Sequence, residues 1–69
     1  MKIIHYSRHH GGSPHTSTER TETNELTFSD WQRLHGGYFV EHPVRWSPPP
    51  EGYFLWRTFR GEVMAIRVD

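Results

Sequence analysis

The first residues of the chain alternate in the way expected of a β-strand. In residues 2–8, Ile4 and Tyr6 fall on one side, and Ile3 and His5 fall on the other. The segment HHGGSP follows, and its two glycines and its proline are typical of a turn or a loop. The pattern therefore predicts a strand that ends before this segment.

Four later segments also carry strand patterns. Residues 16–23 alternate threonine with glutamate and arginine, which predicts an exposed polar strand that pairs with the first as a hairpin. Residues 53–59 and 63–68 flank a turn at residues 60–62 and form the strongest hairpin pattern in the chain. Residues 38–42 predict a further, brief strand.

A short helix is predicted between these strands, and side-chain chemistry marks both of its ends. Thr27 is placed to be the N-cap, because its hydroxyl can accept a hydrogen bond from the backbone N–H of Asp30. The charge of Asp30 also suits the positive end of a helix. Gly36 and Gly37 can adopt the left-handed conformation that ends helices, so we expect the helix to stop near His35.

The predicted helix carries a stripe made of Phe28, Trp31, Leu34 and His35. A helix of about two turns is unstable alone, so the stripe has to pack on something else. Either all four residues are core, which composition favours, or Trp31 and His35 line a pocket or a partner surface. The predicted fold is α+β, a small antiparallel β-sheet with one short α-helix packed on one face. The alternate residues of the last strand that would lie under Phe28, Trp31 and Leu34 are Met64, Ile66 and Val68.

Length and composition predict a single domain over residues 1–69 with a small core. The chain has no cysteine, which excludes disulfides and thiolate metal sites and fits a reducing compartment. No signal peptide or membrane-spanning run is visible, so a cytoplasmic protein is expected. Ten of the 69 residues are aromatic. Because a few large side chains must build the core or an interface, dimerisation would compensate for the small core.

The net charge is zero, but the charges are unevenly spread. Residues 19–41 hold five acidic residues against two basic ones, a local charge of −3. Seven of the eight basic residues are arginines, which suit bidentate pairing and interfaces. Without a basic surplus, direct binding of nucleic acid is not expected.

Candidate catalytic and metal chemistry is weak. His5, His9, His10 and His15 cluster near the start of the chain, but three of them lie in or beside a glycine-rich turn. Because zinc needs about four ligands in fixed geometry, we expect no metal site, although a metal-binding or nucleic-acid module stays a weaker alternative. No nucleophile elbow or phosphate loop is present, so neither an enzyme nor a cofactor is expected. A binding protein is the remaining class.

Two segments resemble the small phage-encoded inhibitors of uracil-DNA glycosylase. LTFSDWQRLHG (26–36) is similar to the helix of that family, which has Leu, a hydroxyl residue, a large apolar residue, Ser-Asp and an aromatic residue in this order, and ends in Leu, an aromatic residue and Gly. GEVMAIRVD (61–69) is similar to its last strand, which closes on apolar-Arg-apolar-Asp. The order of polar hairpin, helix and last strand also matches.

The resemblance implies a dimeric DNA mimic that blocks the DNA-binding groove of uracil-DNA glycosylase. In that family, the helices of the dimer frame a hydrophobic pocket that captures an apolar side chain of the enzyme's DNA-inserting loop, and nearby acids stand in for phosphates. By position, Trp31 and His35 match the pocket aromatics, and Glu22 matches an acid on the preceding strand. The implied partner-binding residues are Glu19, Glu22, Glu25, Phe28, Trp31, Gln32 and His35.

The chain also departs from the family pattern. His35 replaces a larger aromatic residue, Gln32 replaces an acid, and the chain is neutral where such mimics are usually acidic. Residues 37–61 are an insertion relative to the pattern, which either extends the sheet or adds contacts to the enzyme; its proline run, residues 48–50, predicts a rigid loop. The alternative function is a phage anti-defence or host-takeover protein that binds a different host enzyme through the same faces.

Overall fold

The computed structural model describes residues 1–7, 18–41 and 48–68. Its elements in chain order are β1 (Lys2–Ser7), β2 (Thr18–Thr23), α1 (Phe28–His35), β3 (Tyr38–Val40), β4 (Phe54–Arg57) and β5 (Val63–Arg67). The five strands form one antiparallel sheet in the order β2-β1-β5-β4-β3. The α+β fold predicted from the sequence is confirmed, as are both hairpins.

The register of β1 assigns its side chains to the two faces of the sheet. Ile3 lies opposite Glu22 of β2 and Ile66 of β5, on the face that α1 covers. Ile4 lies opposite Thr21 and Ala65, on the other face. The predicted division of β1, with Ile3 on one side and Ile4 on the other, is therefore confirmed.

Both ends of α1 are formed as predicted. The Thr27 hydroxyl accepts a hydrogen bond from the backbone N–H of Asp30 at 3.2 Å. At the other end, Gly36 has a φ of 68° and donates its N–H to the carbonyl of Gln32 at 2.7 Å. The carbonyl of Gly36 accepts a hydrogen bond from the indole N–H of Trp56 at 3.0 Å. The helix end is thus tied directly to β4.

The core under the helix contains Ile3, Trp31, Trp56, Met64 and Ile66, with Phe28 and Phe54 packed against it. Trp31 is 2% exposed and Phe28 is half-buried, but Leu34 is 72% exposed. The expectation that Leu34 rests on the sheet was wrong. At 100° per residue, Leu34 lies about 120° around the helix from Phe28, and α1 packs on the Phe28 side.

A second cluster lies on the opposite face of the sheet and contains Ile4, Tyr6, Leu55, Val63 and Ala65. Four consecutive residues of β5, from Val63 to Ile66, are buried, because this central strand contributes to both clusters. Burial raises the pKa of the Tyr6 hydroxyl, and the nearby Glu19 carboxylate adds to the effect. The sheet therefore carries a buried hydrophobic cluster on each of its two faces.

The described parts of the stretch 37–61 extend the sheet by two strands. β3 and β4 come from this stretch, and Leu55 and Trp56 enter the two core clusters. The predicted strand at 38–42 ends at Val40, since Glu41 is outside the ladder and residue 42 is outside the described residues. Residues 48–50 are not in a strand, as their proline run predicts. This stretch is therefore an integral part of the fold.

Candidate partner-binding surfaces

The structure separates the three acidic residues predicted to bind a partner. Glu19 and Glu22 are an odd number of positions apart on β2, so their side chains point to opposite faces of the sheet. Glu22 lies on the face that carries α1, whereas Glu19 lies on the face of Tyr6. Glu25 is exposed in the connection between β2 and α1. These acids do not form one cluster.

Glu22 lies between two basic side chains. Its Oε2 atom is 3.1 Å from Nε2 of His5 and 3.4 Å from Nη1 of Arg20. The contact with His5 does not satisfy hydrogen-bond geometry, although Nε2 of His5 is shielded from solvent. The contact between His5 and Glu22 is therefore a close polar contact and not a hydrogen bond.

The predicted aromatic pair of the helix is divided between core and surface. Trp31 is buried, and its ring centroid lies 6.4 Å from that of Trp56 and 6.2 Å from that of Phe28. His35 is exposed and its ring centroid lies 4.8 Å from that of Trp31. Trp31 is thus core in the single chain, because β4 brings Trp56 against it, and a partner reaches its ring only if the helix moves. Gln32 is exposed.

The sequence pattern did not single out three exposed hydrophobic side chains that follow the helix, Tyr38, Phe39 and Phe59, and Leu34, which it placed in the helix stripe, is exposed as well. Phe59 is 78% exposed, and its ring lies 2.6 Å from the position that a Cβ atom on Gly36 would take, so a side chain at Gly36 would have to displace the ring. The ring of Tyr38 lies 6.5 Å from that of Phe59. We call the group formed by Leu34, His35, Tyr38, Phe59 and Arg60 the helix-end surface.

A cleft of about 360 Å³ adjoins this surface and is lined by Leu34, His35, Thr58, Arg60 and Glu62. The buried Thr58 fixes the turn that presents Phe59 and Arg60. Its hydroxyl accepts the N–H of Glu62 at 3.1 Å, and its own N–H donates to the carbonyl of Glu62 at 2.9 Å. The two exposed residues of the turn therefore stand on a well-bonded support.

A second hydrophobic depression, which we call the β3 groove, lies where β3 and β4 meet the proline run. Its apolar lining residues are Phe39, Val40, Pro49, Phe54 and Leu55, its acidic residue is Glu41, and its volume is about 230 Å³. The rings of Phe39 and Phe54 stack at 5.0 Å with an angle of 12°. Phe39 nevertheless remains 66% exposed. The proline run thus contributes one wall of an apolar groove.

The acids of β2 and the β3 groove lie at opposite ends of the strand order. Four strand spacings of about 4.8 Å separate β2 from β3, or roughly 19 Å. Glu22 and Phe39 point to the same face of the sheet, on which α1 lies between them. A partner that contacts both Glu22 and Phe39 therefore has to span the width of this face of the sheet.

The structure describes only part of the predicted histidine cluster. Of the four clustered histidines, His9, His10 and His15 lie outside the described residues. Within residues 1–7, 18–41 and 48–68, no group of three or more histidine, aspartate or glutamate side chains is arranged to hold a metal ion. In the same ranges, no helix has the length and apolar character needed to cross a membrane.

Among the described residues, the most exposed large hydrophobic side chains lie on the helix-end surface and in the β3 groove. Exposed hydrophobic residues that are grouped, and not scattered singly, are typical of interaction sites. Comparison with known proteins adds no assignment, since no protein-family model, curated protein or solved structure matches this chain. The resemblance to the glycosylase inhibitors therefore stays a prediction that rests on segments 26–36 and 61–69.

Proposed function

We propose that this chain is a non-enzymatic inhibitor of uracil-DNA glycosylase that acts in the cytoplasm of a phage-infected cell. It blocks the DNA-binding groove of the enzyme with carboxylates in place of phosphates, and it receives an apolar side chain of the DNA-inserting loop in a hydrophobic pocket. The choice of target is supported by the two segments that resemble the inhibitor family. The structural observation that carries the proposal is the β3 groove, an exposed apolar depression with an acid in its lining.

The β3 groove suits an apolar side chain better than the stripe of α1 does. Trp31 is already covered by Phe28 and Trp56, whereas Phe39 offers an exposed ring. A water molecule occupies about 30 Å³ of liquid, so about 230 Å³ holds roughly seven groups of that size. That is more than the four carbons of a leucine side chain. We therefore assign the capture of the inserted side chain to this groove.

The carboxylates needed for DNA mimicry come from more than one part of the chain. Glu41 lies in the groove itself, and Glu22, about 19 Å away by strand spacing, lies on the face of the sheet that carries Phe39. A standard protein interface covers about 800 Å² on each partner, a patch roughly 28 Å across. Both acids therefore fit within one interface of ordinary size.

The inhibitor is proposed to be a homodimer. The helix stripe, which would be the natural dimer surface, is largely used by the core of the single chain. The hydrophobic side chains that remain exposed near it are Leu34, Tyr38, Phe39 and Phe59. A second subunit that covered part of this set would reduce the exposed apolar area of a small domain.

The test is excision of uracil from labelled DNA by a bacterial glycosylase, with and without an equimolar amount of this protein. Phe39→Ala removes the exposed wall of the groove and is expected to weaken inhibition by about 2 kcal/mol, roughly thirtyfold. Val68→Ala is the control, because it truncates an exposed apolar side chain that lies outside both the groove and the set proposed for the dimer. Full enzyme activity in the presence of the wild-type protein would refute the proposal.

The helix-end surface favours a second candidate function, the binding of a different host enzyme. Arg33 and Arg60 are exposed at or near this surface, which makes it a poor match for a basic DNA-binding groove. Aromatic residues and arginines together are typical of protein-binding hot spots. If this candidate function is right, Phe59→Ala abolishes binding to that host enzyme, whereas Phe39→Ala does not. Isothermal titration calorimetry with the purified host enzyme measures the difference.

A further inference from the structure

Among the described strands, β3 lies at one edge of the sheet, and its side chains are uncharged. The strand carries Tyr38, Phe39 and Val40, and Phe39 is 66% exposed. The strand at the opposite edge, β2, has the sequence TERTET and holds three charged side chains. Charged side chains on an edge strand discourage pairing with another chain, whereas an exposed apolar edge favours it. Of these two edges, β3 is therefore the one suited to pairing.

The direction of the backbone groups of β3 follows from the ladder between β4 and β5. The N–H of Thr58 donates to the carbonyl of Glu62 at 2.9 Å, so the backbone groups of Thr58 point toward the β5 side. Those of successive residues in a strand point to opposite sides, so the groups of Arg57 point toward β3, where its partner is Tyr38. The next residue of β3, Phe39, therefore directs its N–H and its carbonyl away from β4, at the edge of the sheet.

We propose that two copies of this chain pair through β3, antiparallel and around a two-fold axis at Phe39, so that their five-stranded sheets become continuous. The inference deepens the proposed function, on which it rests for the homodimer alone, by naming the interface. In this register Phe39 of each copy exchanges both backbone hydrogen bonds with Phe39 of the other, and Tyr38 lies opposite Val40. A two-fold dimer requires such a surface, which is complementary to itself.

The side chains fit this register. Glu41 of one copy lies opposite Gly37 of the other, so the two glutamates do not face each other. Phe39, which stacks on Phe54, meets a second phenylalanine directly across the axis, and aromatic pairs at opposite positions stabilise sheets. Tyr38 brings its own exposed ring to the interface, 6.5 Å from that of Phe59.

The exposed apolar area is of the size that a dimer needs. Tyr38, Phe39 and Phe59 are 49%, 66% and 78% exposed. Since an aromatic side chain has about 150–250 Å² of surface, these three expose roughly 400 Å² in each copy. That is about half of the 800 Å² that each partner contributes to a standard interface. The paired backbone and the residues that flank it add to this area.

The pairing also brings the second copy to the β3 groove. Glu41 lines the groove, and Gly37 of the second copy lies opposite it in the proposed register. Gly37 follows the last residue of α1, His35, by two positions. The end of the helix in one copy is therefore placed beside the groove of the other, and each groove is completed by the dimer.

The first experiment tests the register by disulfide cross-linking, which is clean because the chain has no cysteine of its own. Tyr38 and Val40 of different copies would have Cα atoms about 4.5 Å apart, which a disulfide spans. An oxidised equimolar mixture of Tyr38→Cys and Val40→Cys should therefore give a covalent dimer. Each variant alone is the control and should give none, because the same residue in two copies is about 7–8 Å apart. No cross-link in the mixture, or equal cross-linking in the controls, would overturn the proposal.

The second experiment compares Phe39→Pro with Phe39→Val by sedimentation equilibrium. Both remove the ring, but only proline removes the N–H at the edge, which the ladder with β4 does not use. Phe39→Pro, folded by circular dichroism, should have a dimer Kd at least about tenfold higher than that of Phe39→Val. Equal Kd values for the two folded variants, or a wild type that is monomeric up to about 1 mM, would contradict pairing through β3. If Phe39→Pro does not fold, the cross-linking result decides.

Neither measurement involves the glycosylase, so the two proposals fail separately. A dimer cross-linked in this register that leaves the glycosylase fully active refutes the proposed target and supports the interface. Inhibition by a protein that sediments as a monomer supports the target and overturns the interface.

Discussion

Replacement of Trp31 by alanine tests whether this side chain belongs to the core. Trp31 is 2% exposed and packs among Phe28, Trp56 and His35 on the apolar face of the sheet. Truncation of a buried tryptophan costs about 3–5 kcal/mol. A domain of 69 residues has a free energy of unfolding of roughly 3–10 kcal/mol. Trp31→Ala is therefore expected to remove much or all of the stability.

The assay is urea unfolding followed by far-UV circular dichroism, which does not rely on tryptophan fluorescence. With a slope of about 1 kcal/mol per M for so small a domain, the midpoint should fall by roughly 3 M or the protein should be unfolded in buffer. Leu34→Ala is the matched control on the same helix, because this side chain is 72% exposed and should cost less than about 0.5 kcal/mol. A Trp31→Ala protein with a midpoint within about 0.5 M of the wild type would show that Trp31 is not a core residue.

Four further outcomes are expected. The raised pKa of Tyr6 means that the unfolded chain ionises first, so stability should fall as pH rises above about 10, and urea midpoints should show less of this fall in Tyr6→Phe. Thr58→Val keeps the side-chain size but removes the acceptor for the N–H of Glu62, which should cost about 1–2 kcal/mol by the same assay and less if the turn relaxes. Gly37→Ala should cost at least about 1–3 kcal/mol, because Gly37 has a φ of 120° and an added Cβ would meet the carbonyl of Arg57; a midpoint equal to that of the wild type would contradict this backbone conformation. In sedimentation at micromolar concentration, the proposed dimer should have about twice the 8.2 kDa chain mass, and a folded species of single-chain mass would exclude it.

Local features of this fold could be predicted from the sequence because they depend on neighbours along the chain. The cap at Thr27 and the end of the helix at Gly36 need only side-chain chemistry within one turn. The division of β1 between Ile3 and Ile4 follows from the two-residue period of a strand. These predictions are confirmed.

The order of the strands could not be predicted in the same way, and the burial of the helix stripe depends on it. A sequence pattern predicts a strand within residues 53–59, where the structure has β4 at Phe54–Arg57, but it does not show that this strand lies under Trp31. The side of α1 that carries Phe28 packs on β4, so Trp31 is covered and Leu34 is left outside. The position of β3 in the sheet could not be predicted either. Because β3 is an edge strand, Phe39 is left exposed.

Phe54 shows how the core and the β3 groove can coexist in so small a protein. On one side its ring meets that of Phe28 edge-on at 5.4 Å, and this contact belongs to the core under the helix. On the other side it stacks on Phe39 at 5.0 Å, which forms a wall of the groove. Because the core holds Phe54, the inner wall of the groove is fixed before any partner arrives, and binding there requires little ordering of side chains. Truncation of the outer ring should therefore affect binding more than folding, whereas truncation of Phe54 should affect both.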